Sequence, residues 1–463
     1  MIGIKVTSLD TGKVLFEQNA HKLLRPASNM KLYTVAAALD RLSPDYRFVT
    51  SVYAPVKPDT NGVIKGDLTI YGRGDPSIAA RFNNGNYFKG IDDLAARIVA
   101  AGVKRVEGDL VGDERYFVGP PYGDGWNWDD LTWWYGAEVS ALTVNDNSLD
   151  LFVKPGAQIG APAVITTGPP DPLLRISNRV TTAARGSKRD LAVYRGLAAD
   201  ELEITGSIAL DDKGYTGGIG ISRPALLFVY LLRASLAQQG VTVSGKSRTI
   251  APAMVPGLSN NPSSISALTE VASFQSAPLS LIAAQTLKPS QNLYTELILR
   301  TLGKQRRVMS LPGILPPDLT SEGQGLEEVK KFLNEAGVPP SMLVWSDGSG
   351  LSRNDMVTAE ATVQLLTYMH RHRYASVFRD ALPIAGVDGT LRNRFKGTAA
   401  ENNLRAKTGT LSTATSLSGY VRDAAGDELA FSIMVNNYPS GADVRTSCID
   451  PIAILLASFA GKP

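Results

Sequence analysis

The stretch Pro26-Ala27-Ser28-Asn29-Met30-Lys31, running on into Leu32-Tyr33-Thr34-Val35-Ala36-Ala37-Ala38-Leu39, decides how the rest of the chain is read. Pro26 and Ser28 precede a run of helix formers, and a proline followed by a capping hydroxyl signals a helix start. Three residues apart on a helix, Ser28 and Lys31 project from one face about one turn from each other. The run that follows, to Leu42, is apolar nearly all the way round, which predicts a helix buried in a domain interior. An amine held there finds its charged form disfavoured, and burial alone lowers a lysine pKa by up to about 3–5 units. A neutral Lys31 is then a base in reach of the Ser28 hydroxyl, which is a poor nucleophile until its proton is taken. Backbone N–H groups at the helix start favour any negative charge that develops there. Taken alone, the hexapeptide also fits a plainer reading, a capping serine and a lysine whose amine reaches solvent.

Composition sets the bounds. At 463 residues the chain exceeds one ordinary core, and two or three domains are expected. Apolar residues at 44% and charged residues at 20% describe a globular rather than a disordered protein. A formal net charge of +3, with no basic run, argues against nucleic acid as a partner. The single cysteine, Cys448, excludes an internal disulfide and a cysteine-based zinc site, and reads as a small buried apolar side chain. Of the three histidines, His21, His370 and His372, the last two fall among arginines at the polar end of a helix. They are read as facing solvent rather than a metal, and a Ser-His-Asp mechanism is poorly supplied. No apolar stretch approaches the ~18 residues of a membrane span, so no transmembrane segment is expected. Met1 leads directly into strand-like sequence without a leader pattern, and the chain is read as one whose signal peptide has been removed.

In chain order, residues 2–17 read as a hairpin turning at Asp10-Thr11-Gly12, followed by the Ser28 helix and an extended exit at 46–53. Residues 66–111 read as strand, loop, helix, strand. Within them Arg73-Gly74-Asp75 and Gly72-x-Gly74 are too short to argue for adhesion or for a phosphate loop. Four of the five tryptophans fall at Trp126, Trp128, Trp133 and Trp134. Such a group is either a core cluster or a recognition wall, and Asp129 and Asp130 beside it suit an aliphatic ligand ending in a cation. Residues 160–217 are short strands and turns, 224–238 a buried helix, and 256–266 a linker. Residues 278–305 read as two helical pieces broken at Lys288-Pro289-Ser290-Gln291-Asn292, the second starting at Ser290. That Ser-x-Asn either delivers a hydroxyl and an amide into a cleft or simply caps a helix. Helices at 323–336 and 358–370 flank the loop Ser346-Asp347-Gly348-Ser349-Gly350-Leu351-Ser352-Arg353. Leu404-Arg405-Ala406-Lys407-Thr408-Gly409-Thr410 precedes two antiparallel strands, 416–422 and 428–436, and a terminal helix at 452–460. Glycine at Gly409 lets another backbone approach the strand closely.

Ser28-x-x-Lys31, Ser290-x-Asn292 and Lys407-Thr408-Gly409, in this order on helix, helix start and strand, resemble the signature of penicillin-recognising serine enzymes. The long stretch between the first two, with Gly72-x-Gly74-Asp75-Pro76-Ser77, the Trp126 segment and Asp347 to Arg353, is similar to the class C low-molecular-mass penicillin-binding proteins. These are the type-4 D-alanyl-D-alanine carboxypeptidase/endopeptidases, peptidase family S13. The resemblance covers essentially the whole chain. One departure is Gln291, where relatives carry Asp or Asn; its side chain is expected to point away from the cleft.

The resemblance implies an α/β (α+β) fold: a serine β-lactamase/transpeptidase-like domain whose five-stranded antiparallel sheet is flanked by helices, with two nested insertions. The expected borders are 1–53 and 267–463 for the catalytic domain, 54–159 and 218–266 for the second, and 160–217 for a β-rich third. It implies Ser28 as nucleophile, Lys31 as base, Ser290 as proton relay tuned by Lys407, and Asn292 holding the substrate amide and Lys31. Thr408, Gly409 and Thr410 would line the substrate strand, and Lys407, Thr408 and Thr410 would make a cationic, hydroxyl-lined seat for its carboxylate. Trp126, Asp129 and Arg353, with Ser412 as an addition, would take a diaminopimelate side chain. No cofactor or metal is implied. The implied partners are a peptidoglycan stem peptide and, as covalent inhibitors, β-lactams; the implied address is extracytoplasmic, the periplasm or the outside of a Gram-positive membrane. A β-lactamase or esterase and a non-catalytic wall-binding scaffold are the rival readings.

Overall fold

The computed structural model describes residues 1–197, 200–254, 265–309 and 320–461. The chain forms two compact units: Met1–Arg47, Gly123–Gly125 and Ala277–Pro463 make the first, Phe48–Tyr122 and Trp126–Ser276 the second. The linker expected at 256–266 lies almost wholly outside the described residues.

Five strands carry the first unit: β1 (Ile2–Ser8), β2 (Val14–Gln18), β3 (Arg405–Leu411), β4 (Ala414–Arg422) and β5 (Glu428–Asn436). They pair antiparallel throughout in the order β3-β4-β5-β1-β2, which is the sheet expected from the motifs. All of β5 and all of β4 except Arg422 is buried, because both faces are covered. Alternation sorts the faces. Ile4 and Val6 join Leu417, Phe431 and Ile433 in one core with Ala453 and Ala457 of the terminal helix α6 (Asp450–Ser458), whereas Lys5 between them turns the other way. On that side its amine pairs at 2.8 Å with Glu360 of α5 (Ala359–His370).

The helices α1 (Met30–Leu42), α2 (Leu279–Leu287), α3 (Asn292–Met309) and α4 (Ser321–Glu335) complete the unit. From Met30 to Leu39 every residue of α1 is buried, Lys31 included, as the all-round apolar pattern predicts. The run Met30–Leu42 is helical as read, but Ser28 does not cap it, and the second helix starts two residues after Ser290. Ala27–Asn29 form a 3-10 turn ahead of α1, and no side chain caps either element. The Ser28 hydroxyl is engaged elsewhere. After the break at Lys288, α3 starts at Asn292, and the side chain that accepts from its first turn is Gln291, whose Oε1 takes the Leu293 N–H at 3.2 Å. Gln291 is fully buried in that local role. Two smaller expectations also change. Cys448 is half-buried beside the sheet core, and His372 is tucked against Asp40, Nε2 to Oδ1 3.1 Å, because the end of α1 supplies it a carboxylate.

The second unit has a mixed five-stranded sheet in the order Ser247–Ile250, Leu110–Asp113, Leu68–Tyr71, Val49–Ala54, Thr269–Gln275. Helices Lys89–Ala100 and Pro224–Gln238 contribute Ile91, Leu94, Ile98, Phe228 and Leu232 to its core. Two three-stranded sheets, one of Arg175–Ala183, Glu201–Ala209 and Asp190–Arg195, the other of Tyr215–Gly220, Ser148–Lys154 and Val164–Gly168, share that core through Val180, Leu202, Leu151 and Ile219. Among the described residues no helix is long and apolar enough to cross a membrane.

Candidate active site

The turn bearing Ser28 is fastened to the sheet from below. Ser416 Oγ of β4 donates to Pro26 O at 2.6 Å, and Asn29 Nδ2 donates to Ser418 Oγ at 2.7 Å. Ala27 is held at φ 48, a region non-glycine residues avoid at a cost of order 1–3 kcal/mol unless their surroundings impose it. Those surroundings include two glycines. A Cβ on Gly409 would lie 2.4 Å from Pro26 O, and one on Gly350 would lie 1.9 Å from Ala27 O. The backbone that approaches Gly409 closely is therefore the protein's own serine turn.

Ser28 is half-exposed, while Lys31, one turn on, has no accessible surface. Lys31 Nζ donates to Ser28 Oγ at 2.9 Å, to Asn292 Oδ1 at 2.6 Å and to the Ser349 carbonyl at 2.7 Å. Burial pushes its pKa down to about 7, against the upward pull of the nearby Asp347, Glu296 and Asp355 carboxyls. Ser290 is held at φ 67, again the left-handed region, at the break between α2 and α3. Its hydroxyl accepts from Lys407 Nζ at 2.9 Å, and the same amine donates to Thr408 O at 2.9 Å. Lys407 is fully buried, and burial followed by the charge of Lys31 holds its pKa well below the usual lysine value. Ser28, Lys31, Ser290, Asn292 and Lys407 thus lie in two linked clusters within the first unit.

The loop 346–353 supplies what the motifs do not show. Asp347 accepts from the backbone N–H groups of Ser349 (3.0 Å), Gly350 (2.6 Å), Leu351 (3.1 Å) and Ser352 (2.9 Å). Glu296 of α3 accepts from Gly348 N at 3.1 Å, and Thr34 of α1 donates to Gly348 O at 2.8 Å. The Ser349 carbonyl is aimed at Lys31 by these bonds. Burial first, and then Asp347, raises the pKa values of Glu296 and Asp355 well above the carboxylate range; Glu322, chiefly by burial, rises to about 7. Asp347, Glu296 and the Ser349 carbonyl were missed from the sequence. The Asp-Gly-Ser-Gly run was the available signal, because a short acid ahead of small residues commonly collects the N–H groups that follow it.

On β3, Thr408 is half-exposed, Thr410 exposed, and Ser412 lies exposed in the turn after the strand. Thr408 Oγ1 donates to Thr390 Oγ1 at 2.8 Å. Arg353 is half-buried at the end of the 346–353 loop. In the second unit Trp126 is half-buried and Asp129 exposed, just ahead of the turn Asp130–Thr132. Trp128, 64% exposed, meets Tyr194 edge-on at 6.4 Å between ring centres, so the tryptophan group is only partly core. Among the described residues no group of three or more histidine, cysteine or acidic side chains is placed to hold a metal ion.

Residues 1–459 match the model of the D-Ala-D-Ala carboxypeptidase 3 (S13) family. A D-alanyl-D-alanine carboxypeptidase from an Actinomadura species is 35% identical over 470 residues, spanning 99% of this chain and 81% of the relative. The D-alanyl-D-alanine carboxypeptidase DacB of Haemophilus influenzae is 24% identical, spanning 95% of this chain and 86% of the relative. The crystal structure of penicillin binding protein 4 (dacB) from Haemophilus influenzae has the same fold, with a TM-score of 0.82 at 22% identity, covering 99% of this chain and 95% of that one.

Proposed function

The chain belongs to the D-Ala-D-Ala carboxypeptidase 3 (S13) family of peptidases, and on that premise we propose that it is a serine-type D-Ala-D-Ala carboxypeptidase and D,D-endopeptidase of peptidoglycan, working through an ester on Ser28. The observation that carries this reading is the 2.9 Å contact between Lys31 Nζ and Ser28 Oγ, made by an amine sealed from water. A neutral amine has two N–H bonds and one lone pair. Charged, Lys31 donates to all three oxygens; once it gives up a proton, Asn292 Oδ1 and Ser349 O keep the two N–H groups and the lone pair is left to accept from the serine hydroxyl.

Ser28 Oγ attacks the carbonyl carbon of the penultimate D-alanine as its proton passes to Lys31, an acid–base step worth on the order of 10²–10⁴-fold. Backbone N–H groups of Ser28 and Thr410 receive the oxyanion, each such donor being worth roughly 10²–10³-fold. The tetrahedral species collapses as the C–N bond breaks, and the proton that Lys31 took passes to the leaving amine by way of the Ser290 hydroxyl, which Lys407 holds in place, so that Lys31 is neutral again. Water then adds to the ester, giving up its proton to Lys31, which returns it to Ser28 Oγ as the acyl carbon–Oγ bond breaks. A β-lactam offers the same carbonyl and carboxylate with its leaving group tethered, so it acylates Ser28 and hydrolyses slowly. Trp126, Asp129, Arg353 and Ser412, all with accessible surface, are proposed as contacts of a diaminopimelate-type stem peptide. A substrate of this kind places the enzyme outside the cytoplasm, in the periplasm or outside a Gram-positive membrane.

The test is intact mass after incubation with benzylpenicillin, then digestion of diaminopimelate-type muropeptides. One penicillin mass should be added and persist in the native protein, and be absent from Ser28→Ala. Full peptidase activity in Ser28→Ala sinks the reading, and rapid turnover of the penicillin turns it to a β-lactamase.

A further inference from the structure

Of the groups expected to seat the substrate's terminal carboxylate, two spend their donors inside the protein. Lys407 Nζ is bound to Ser290 Oγ and Thr408 O. The proton of Thr408 Oγ1 is directed at Thr390 Oγ1, 2.8 Å away. A threonine hydroxyl has one proton to give and two lone pairs to fill. Thr390 therefore accepts from Thr408 and keeps its own proton, for which no acceptor is found among the described residues. Thr390 is exposed.

Its turn is pinned on the opposite side to the segment that carries Ser290. Thr390 N donates to Lys288 O at 3.0 Å, and Lys288 Nζ is bound to Asp388 Oδ2 at 2.5 Å. Gly389, at φ 55, leaves no room for a side chain, since a Cβ there would lie 2.5 Å from Lys288 O. The turn Gly389–Leu391 thus joins the Ser290 break to the Lys407 strand and presents one outward hydroxyl at the seam.

We propose that Thr390 is a specificity-determining residue of this site, its hydroxyl donating to the terminal carboxylate of a D-amino-acid peptide. The inference rests on the reading of the site as a D,D-peptidase and names which group selects a free-acid substrate. An anion is favoured over a neutral terminus because the buried Lys407 amine, bound to the Thr408 carbonyl, lies beneath the seat. Lys288 and Asp388 act as positioning residues that hold the turn.

The experiment compares Thr390→Val, which keeps the shape and removes the hydroxyl, with Thr390→Ser, which keeps the hydroxyl. The probes are an N-acetylated pentapeptide ending in D-Ala-D-Ala and its C-terminal amide, with benzylpenicillin and its methyl ester as an acylation pair that needs no turnover. A lost hydrogen bond to a charged group corresponds to about ten- to a hundredfold. Thr390→Val should lose that much in kcat/KM on the free acid, mainly through KM, and in acylation by benzylpenicillin. The amide and the ester should be affected little, and Thr390→Ser should keep the native preference. Thr390→Ala is a second hydroxyl-free variant should valine disturb the turn, and it should behave alike. An active enzyme whose hydroxyl-free variants lose acid and neutral probes equally, or lose neither, overturns this inference alone. Native protein inert to all four probes overturns the reading of the site and this inference with it.

Discussion

Lys31 and Lys407 are both without accessible surface, yet their surroundings differ in kind. Around Lys31 stand an amide oxygen, a backbone carbonyl and three carboxyls that draw its proton affinity back up. Around Lys407 stand a hydroxyl and a carbonyl, and the charge of Lys31 pushes its proton affinity the same way as burial. Burial lowers the basicity of any amine, whatever its task. What separates the two is the acid cluster under the 346–353 loop, which returns Lys31 to about 7, where a general base is most useful. Burial and the charge of Lys31 both lower the proton affinity of Lys407, and an anion arriving beside it would raise it.

The largest effect that tests this contrast is on rate. Lys31→Met should slow acylation by benzylpenicillin by on the order of 10²–10⁴-fold, measured by mass against time, and Lys407→Met should slow it less. Equal losses break the division of labour. A smaller effect is a displacement of the pH profile. In the native protein acylation should fall tenfold per pH unit below about 7 as Lys31 takes up its proton. The Asp347 carboxylate raises the proton affinity of Lys31, so Asp347→Asn should move that acid limb to lower pH while also slowing the plateau through a looser loop. A limb that stays, or moves upward, removes Asp347 from the tuning of Lys31. The smallest effect is thermodynamic. A carboxylate docking near Lys407 raises that amine's affinity for a proton, so binding of a free-acid D-Ala-D-Ala peptide to Ser28→Ala should take up as much as one proton. Calorimetry in buffers of different ionisation enthalpy reads this directly, and an uptake of zero shows that Lys407 is charged already.

Much of this was legible in the residues and some was not, for reasons that are physical. The buried helix α1 is visible because its apolar positions surround it, and β4 and β5 because their turn and alternation are local. Residue spacing alone does not bring Ser28, Asn292 and Lys407 together; their order along the chain, through the family resemblance, does. Capping was assigned to the wrong side chains because a serine near a helix carries no mark of whether its hydroxyl caps or reacts. Gln291 took the local role expected of Ser290, which freed that hydroxyl for Lys407. The Ser349 carbonyl was invisible because every residue has a carbonyl, and only the fold decides which one is aimed at an amine.

The position of β1 has a consequence for how the molecule is made. Ile2–Ser8 lies between β2 and β5, and its partners Leu429 to Val435 emerge from the ribosome more than four hundred residues after it. The second unit, by contrast, draws nearly all its chain from one continuous interval and can begin to compact during synthesis. Pairings between such distant segments carry a high loop-closure cost and form late. The nucleophile is thus translated well ahead of the strands that complete its sheet and acquires its surroundings late, so a chain truncated before β5 carries an intact serine motif on an unfinished sheet.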